Sequence, residues 1–130
     1  MYDAFPPVLE GGGIRIEPQA IRVWRNGQPV GLRLREFQTL LALATSPHRV
    51  WSRQEILAFC HASSGPRQPG SRHPDPRVVD VWVLALRRKL GPHIVETVRG
   101  VGYRWGDPVA VQPLVARGRL ARRQQGGARA

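Results

Sequence analysis

Arg77-Val78-Val79-Asp80-Val81-Trp82-Val83-Leu84-Ala85-Leu86-Arg87-Arg88-Lys89-Leu90, followed after Gly91-Pro92-His93 by Ile94-Val95-Glu96-Thr97-Val98-Arg99-Gly100-Val101-Gly102-Tyr103-Arg104-Trp105, decides the fold. In residues 77–90, Val79, Val83, Leu86 and Leu90 recur at helical spacing, a single inward stripe of a helix running from about Arg77 to Leu90. Gly91-Pro92 is its stop signal. In residues 94–105 a pair of short extended runs flanks the turn Arg99-Gly100-Val101-Gly102, which makes a projecting β-hairpin.

Upstream, residues 61–76 hold Pro66, Pro69, Pro74 and Pro76 among glycines and serines, a density that no helix or central strand tolerates and that reads as a long mobile loop. Before it, Ser52-Arg53-Gln54-Glu55 is a capping box that starts a second helix, with Ile56 and Leu57 facing inward. A first helix begins at Leu34, with Phe37, Leu40, Leu41 and Ala44 at helical spacing and Ser46-Pro47 as its end; Arg33 stands where a capping side chain is expected. Ile14-Arg15-Ile16 and Ala20-Ile21-Arg22-Val23-Trp24 alternate as strands, and Asn26-Gly27 before Pro29-Val30 is a hairpin turn. Together these predict an α+β domain over residues 14–107: three helices, a small N-terminal antiparallel sheet and a C-terminal β-hairpin wing, the order of a winged helix-turn-helix. Residues 1–13, ending in Gly11-Gly12-Gly13, read as a flexible leader, and residues 108–130 as a basic disordered tail.

The chain of 130 residues carries 20 basic against 9 acidic groups, a net charge of +11. The segment 14–107 holds 15 of the basic and 7 of the acidic groups, and the tail holds five Arg with no acid. A body this basic attracts polyanions over about a Debye length. All of its basic residues but Lys89 are Arg, whose guanidinium fork suits phosphate and guanine edges. No apolar run is long enough to span a bilayer, and the start Met1-Tyr2-Asp3-Ala4 lacks the basic and apolar regions of a secretory signal. Cys60 is the single cysteine, so no internal disulfide forms, and a cytoplasmic location is expected.

The residues 77–90 resemble the third helix of the OmpR/PhoB-type response-regulator effector domain, whose pattern is R-x-V-D-V-x-I-x-x-L-R-x-K-L. Ile94 to Arg104 is similar to that family's wing almost letter for letter, and Arg49-Val50, Ser52-Arg53, Ile56-Leu57, Glu36-Phe37 and Leu40-Leu41 match its second and first helices. The resemblance covers roughly residues 14–106. It implies a non-enzymatic, sequence-preferring regulator of transcription that binds double-stranded DNA in the nucleoid, with the third helix in the major groove and the wing in the flanking minor groove. On that reading Arg77, Val78, Val81, Trp82, Leu84, Ala85, Arg87 and Arg88 are the helix residues that face DNA. Thr97, Arg99, Gly100, Tyr103 and Arg104 are those of the wing, with Arg99 the residue for the minor groove. The resemblance also implies two copies side by side on repeated half-sites, and contact with RNA polymerase through the 61–76 loop. Relatives carry an N-terminal receiver domain, which thirteen leader residues are too few to supply.

Several positions depart from the family pattern. Leu84 and Ala85 stand where relatives commonly have Arg or polar residues, Trp82 replaces a frequent His, and His61 a frequent Trp. The apolar set is suited to thymine methyls, with Arg77, Arg87 and Arg88 on phosphates or a guanine edge. Two alternatives keep the fold: a protein-interaction module using Val78, Val81, Trp82 and Ala85, or an architectural DNA binder without sequence preference. Trp82 is equally suited to core packing, and Asp80 to pairing with a neighbouring Arg. No cofactor is expected, and Cys60, His61 and His73 fit no common zinc spacing.

Overall fold

The computed structural model describes residues 5–63, 74–106 and 112–113. Its elements run β1 (Leu9–Gly11), β2 (Ile14–Glu17), β3 (Arg22–Arg25), β4 (Gln28–Val30), α1 (Leu34–Thr45), α2 (Arg53–Ser63), α3 (Val78–Leu90), β5 (Val95–Val98), β6 (Gly102–Trp105) and β7 (Gln112–Pro113). One antiparallel sheet has the order β4-β3-β2-β1-β7, and β5-β6 forms a separate hairpin. This is a winged helix, as the periodicity of residues 77–105 predicts.

The sheet reaches further than the sequence predicts. Residues 9–11, read as leader, form β1, with Leu9 opposite Ile16 and buried. The glycines supply the turn instead of a linker: Gly12 and Gly13 have φ of 58° and 81°, and the Asn26 amide donates to the Gly13 carbonyl. Phe5 packs edge-on against Phe59 of α2. Gln112–Pro113, assigned to the tail, pairs with β1. Residues 108–111 and 114–130 of the tail and most of the 61–76 loop lie outside the described residues, and α2 extends into the start of that loop. The β3–β4 turn is as expected, with Asn26 and Gly27 at φ 50° and 82°.

α1 is the centre of the molecule: every residue from Glu36 to Ala44 is buried. Its start lacks a capping side chain at Arg33, and Glu36 compensates by accepting the Arg33 amide at 3.0 Å and the Lys89 ammonium at 2.7 Å. Burial pushes the Glu36 carboxyl up, but Lys89 and the Arg33 amide outweigh this and hold it below its ordinary value. The ion pair thereby fastens α1 to α3. α2 begins with the expected box: the Glu55 amide donates to Ser52 Oγ at 3.0 Å, and the Ser52 amide to Glu55 Oε1 at 2.8 Å. Val79, Val83, Leu86 and Leu90 are all buried, and at about 1.5–3 kcal/mol for each such side chain they hold α3 against the core.

Candidate nucleic-acid interface

The buried stripe of α3 dictates what faces outward. Two residues along a helix is a turn of about 200°, so the positions opposite the stripe are Arg77, Val81, Leu84 and Arg88. All four are exposed, Val81 to 63% and Leu84 to 48%. Val78, Trp82 and Ala85 lie between the two faces and are half-buried, Val78 and Trp82 packing on the core cluster. Trp82 is therefore less available than its place in the predicted contact set implies.

Asp75 organises the helix start. Its Oδ1 accepts the Arg77 amide at 2.9 Å, and its carboxylate takes the Arg77 guanidinium at 2.7–3.2 Å. Those bonds lower its pKa to about 2. The Arg77–Asp75 pair is largely exposed, so it is held weakly and can open.

Of the polar side chains inside α3, Asp80, Arg87 and Lys89 are committed to the wing and to the other two helices. Asp80 accepts Arg53 Nε at 2.8 Å and the Tyr103 hydroxyl, the pairing with an Arg that its sequence position predicts. The Arg53 bond is the main reason its carboxyl lies below the ordinary range, against a burial effect that raises it. Burial and the Asp80 contact push the Tyr103 hydroxyl up. Arg87 donates to the Val95 carbonyl at 2.9 Å and to Thr97 Oγ1 at 2.7 Å, fixing α3 to β5. Lys89 is held by Glu36 of α1. Arg53 is marked in sequence by the capping box and the match to the family's second helix, neither of which identifies its bond to Asp80.

The wing is anchored a third time through Trp51. Its amide donates to the Tyr103 carbonyl at 2.7 Å, and the Tyr103 amide to the Trp51 carbonyl at 2.8 Å. Gly102 is required by this approach, because a Cβ there would overlap the Trp51 carbonyl. Further out, Arg104 pairs with Glu96 across the hairpin at 3.1 Å. At the tip Gly100 has φ 79°, and Val101 and Arg99 are exposed. Val101, at 57% exposure, was not among the predicted wing residues. Arg88 and Arg99 have no partner among the described residues.

Of the predicted contact residues, Arg77, Val81, Leu84, Arg88, Arg99 and Gly100 thus lie on open surface. Arg87, Tyr103 and Arg104 hold the scaffold together, and Thr97 is exposed while accepting Arg87. Among the described residues no cluster of His, Cys, Asp and Glu is placed to hold a metal ion, and no helix is long and apolar enough to cross a membrane. Cys60 is buried, which pushes its thiol up to about 11.

Residues 27–105 match the family model described as "Transcriptional regulatory protein, C terminal". The chain belongs to that family. This OmpR/PhoB-type domain is 40% identical over 107 residues to the DNA-binding response regulator MtrA of Mycobacterium tuberculosis, covering 78% of this chain and 43% of that one. It is 39% identical over 102 residues to the transcriptional regulatory protein CutR of Streptomyces coelicolor, covering 76% and 43%. The chain thus spans less than half the length of these curated relatives. Among solved structures, the AdeR DNA-binding domain in complex with an intercistronic region superposes with a TM-score of 0.63 at 27% identity, over 76% of this chain and 99% of that one. The Klebsiella pneumoniae RstA DNA-binding domain in complex with the RstA box gives 0.60 at 29% identity, over 76% and 96%.

Proposed function

We propose that this protein is a double-stranded DNA-binding regulator of transcription, laying α3 in the major groove and sending the β5–β6 wing into the flanking minor groove. The observation that carries the reading is the outward stripe of α3, with an arginine at each end, beside a hairpin bonded to the same helix whose tip bears an exposed Arg99 without a partner among the described residues. Arg77 and Arg88 are eleven residues apart, about 16 Å along the axis, which suits phosphates on the two sides of a major groove about 12 Å wide. Arg99 is suited to a narrow minor groove, where the negative potential is strongest. The net charge of +11 supplies the long-range attraction.

The related AdeR and RstA domains were solved on DNA, which supports the same use here. The reading includes two copies on repeated half-sites, a cytoplasmic, nucleoid-associated location, contact with RNA polymerase through residues 61–76, and a binding role without catalysis. A protein-interaction face is less favoured. With Val78, Trp82 and Ala85 half-buried, Val81 and Leu84 alone make a small patch for a protein anchor.

Titration of the chain with duplex DNA at several salt concentrations tests the proposal. Affinity falling steeply and linearly on a log–log salt plot is expected. Absence of binding to any duplex, or binding indifferent to salt, would refute it. Arg99→Ala is expected to weaken binding most at sites with A·T-rich flanks; equal loss on all flanks would make Arg99 a plain phosphate contact.

A further inference from the structure

Between the two arginines of the outward stripe, α3 presents no free hydrogen-bonding side chain at its most exposed positions. Val81 and Leu84 occupy them. The polar residues of the same turns point elsewhere: Asp80 is held by Arg53 and Tyr103, Arg87 by Val95 and Thr97, and Lys89 by Glu36. Base edges in the major groove offer donors and acceptors, but thymine alone among the four bases offers a methyl group. A helix docked there through Val81 and Leu84 gains from burying methyls and loses wherever it covers unpaired donors and acceptors.

We infer that Val81 and Leu84 are the specificity-determining residues of this protein and read thymine C5-methyl groups, with Arg77 and Arg88 bonding the backbone phosphates on either side. The inference rests on the DNA reading above and adds how sequence is discriminated. Its ligand class is duplex DNA with thymines at the base steps beneath the middle of α3. Charge complementarity commits the apolar patch to this occupant: the groove floor is apolar only at the methyls, and its rims are anionic where the stripe ends in arginine. The half-exposed Ala85 adds a small apolar flank that does not block the approach.

The test uses the 130-residue chain and a duplex selected for binding from a random pool, in two versions: thymine, and deoxyuracil in the protected major-groove positions. The two differ only in methyl groups. Wild type is expected to bind the uracil duplex about fourfold more weakly for each methyl contacted, the value of one buried CH₂. Leu84→Ser and Val81→Ser are expected to bind the thymine duplex more weakly and to lose some or all of the discrimination. Both sites are exposed, and a circular-dichroism melt checks that the variants fold. Arg88→Ala is expected to weaken both duplexes equally and keep the ratio. Equal binding of the two duplexes by wild type overturns the inference while leaving DNA binding intact. An unchanged thymine-to-uracil ratio in both Ser variants overturns it too, by placing the effect in the DNA's own shape. Recovery of no bound duplex from the pool removes the DNA reading itself, and this inference with it.

Discussion

Replacing Gly102 by alanine tests how the wing is fastened. A Cβ at this position would overlap the Trp51 carbonyl oxygen and sit 2.7 Å from its carbon and 2.9 Å from the Ser52 Cα, well inside ordinary contact. These neighbours are backbone at the start of α2, so relief requires β6 to move away from Trp51. That movement breaks the reciprocal pair of bonds between Trp51 and Tyr103, at about 1 kcal/mol each. It also pulls the Tyr103 hydroxyl off Asp80, a charge-assisted bond discounted to about 1 kcal/mol because Asp80 is partly exposed and keeps Arg53. The total of about 3 kcal/mol corresponds to a fall in Tm of roughly 12–24 °C for a domain of this size. Gly100→Ala is the comparison: its Cβ meets nothing within 4 Å, so only the left-handed conformation at φ 79° is penalised, at about 1–2 kcal/mol. Thermal unfolding followed by circular dichroism measures both. If Gly102→Ala melts no lower than Gly100→Ala, the wing is not held by the contact to Trp51.

Lys89→Met leaves the Glu36 carboxylate, 8% exposed, without its cation, and about 2 kcal/mol of stability is expected to be lost at neutral pH. The loss should shrink on acidification, because the unpaired carboxyl then protonates more readily, and adding Glu36→Gln should recover some of it; urea melts that show neither trend would contradict the role of the pair. Arg87→Ala is expected to lower Tm and weaken DNA binding without changing the salt slope, whereas Arg88→Ala should leave Tm nearly unchanged and reduce the slope by about one. Exchanged behaviour would reverse their roles. Asp80, with its pKa lowered chiefly by Arg53, stabilises the fold fully above its unfolded value near pH 4 and loses that contribution as pH falls through the lower folded value. Asp80→Asn should therefore flatten the acid limb of the stability curve below about pH 4, and an unchanged limb would show the carboxylate to be unimportant there.

What was legible in the sequence was local. The stripe Val79, Val83, Leu86, Leu90 and the Ser52–Glu55 box each depend on spacings within one helix, and both stand as read. β7 depends on pairing with a segment about a hundred residues away, whereas β1 is joined to β2 by two glycines alone, and a run of glycines is written the same way in a linker as in a turn of positive φ; only the pairing of Leu9 with Ile16 decides between them. Within the interface, Arg87 and Arg88 are neighbours of equal chemistry in sequence. The turn of about 100° between them around the helix puts one onto Val95 and Thr97 and the other into solvent. Tyr103 is similar: the motif marks it as a wing residue, but its burial and its bond to Asp80 make it a strut between wing and helix. Charge composition alone separates none of these roles.

Selection of bound duplexes from a random DNA pool, repeated with Arg88→Ala and Leu84→Ser, bears on the proposed function and its specificity together. Wild type is expected to enrich a thymine-containing site, Arg88→Ala the same site with lower yield, and Leu84→Ser a relaxed one. No enriched sequence from wild type, despite salt-dependent binding, would contradict a sequence-reading role and make the protein an architectural DNA binder.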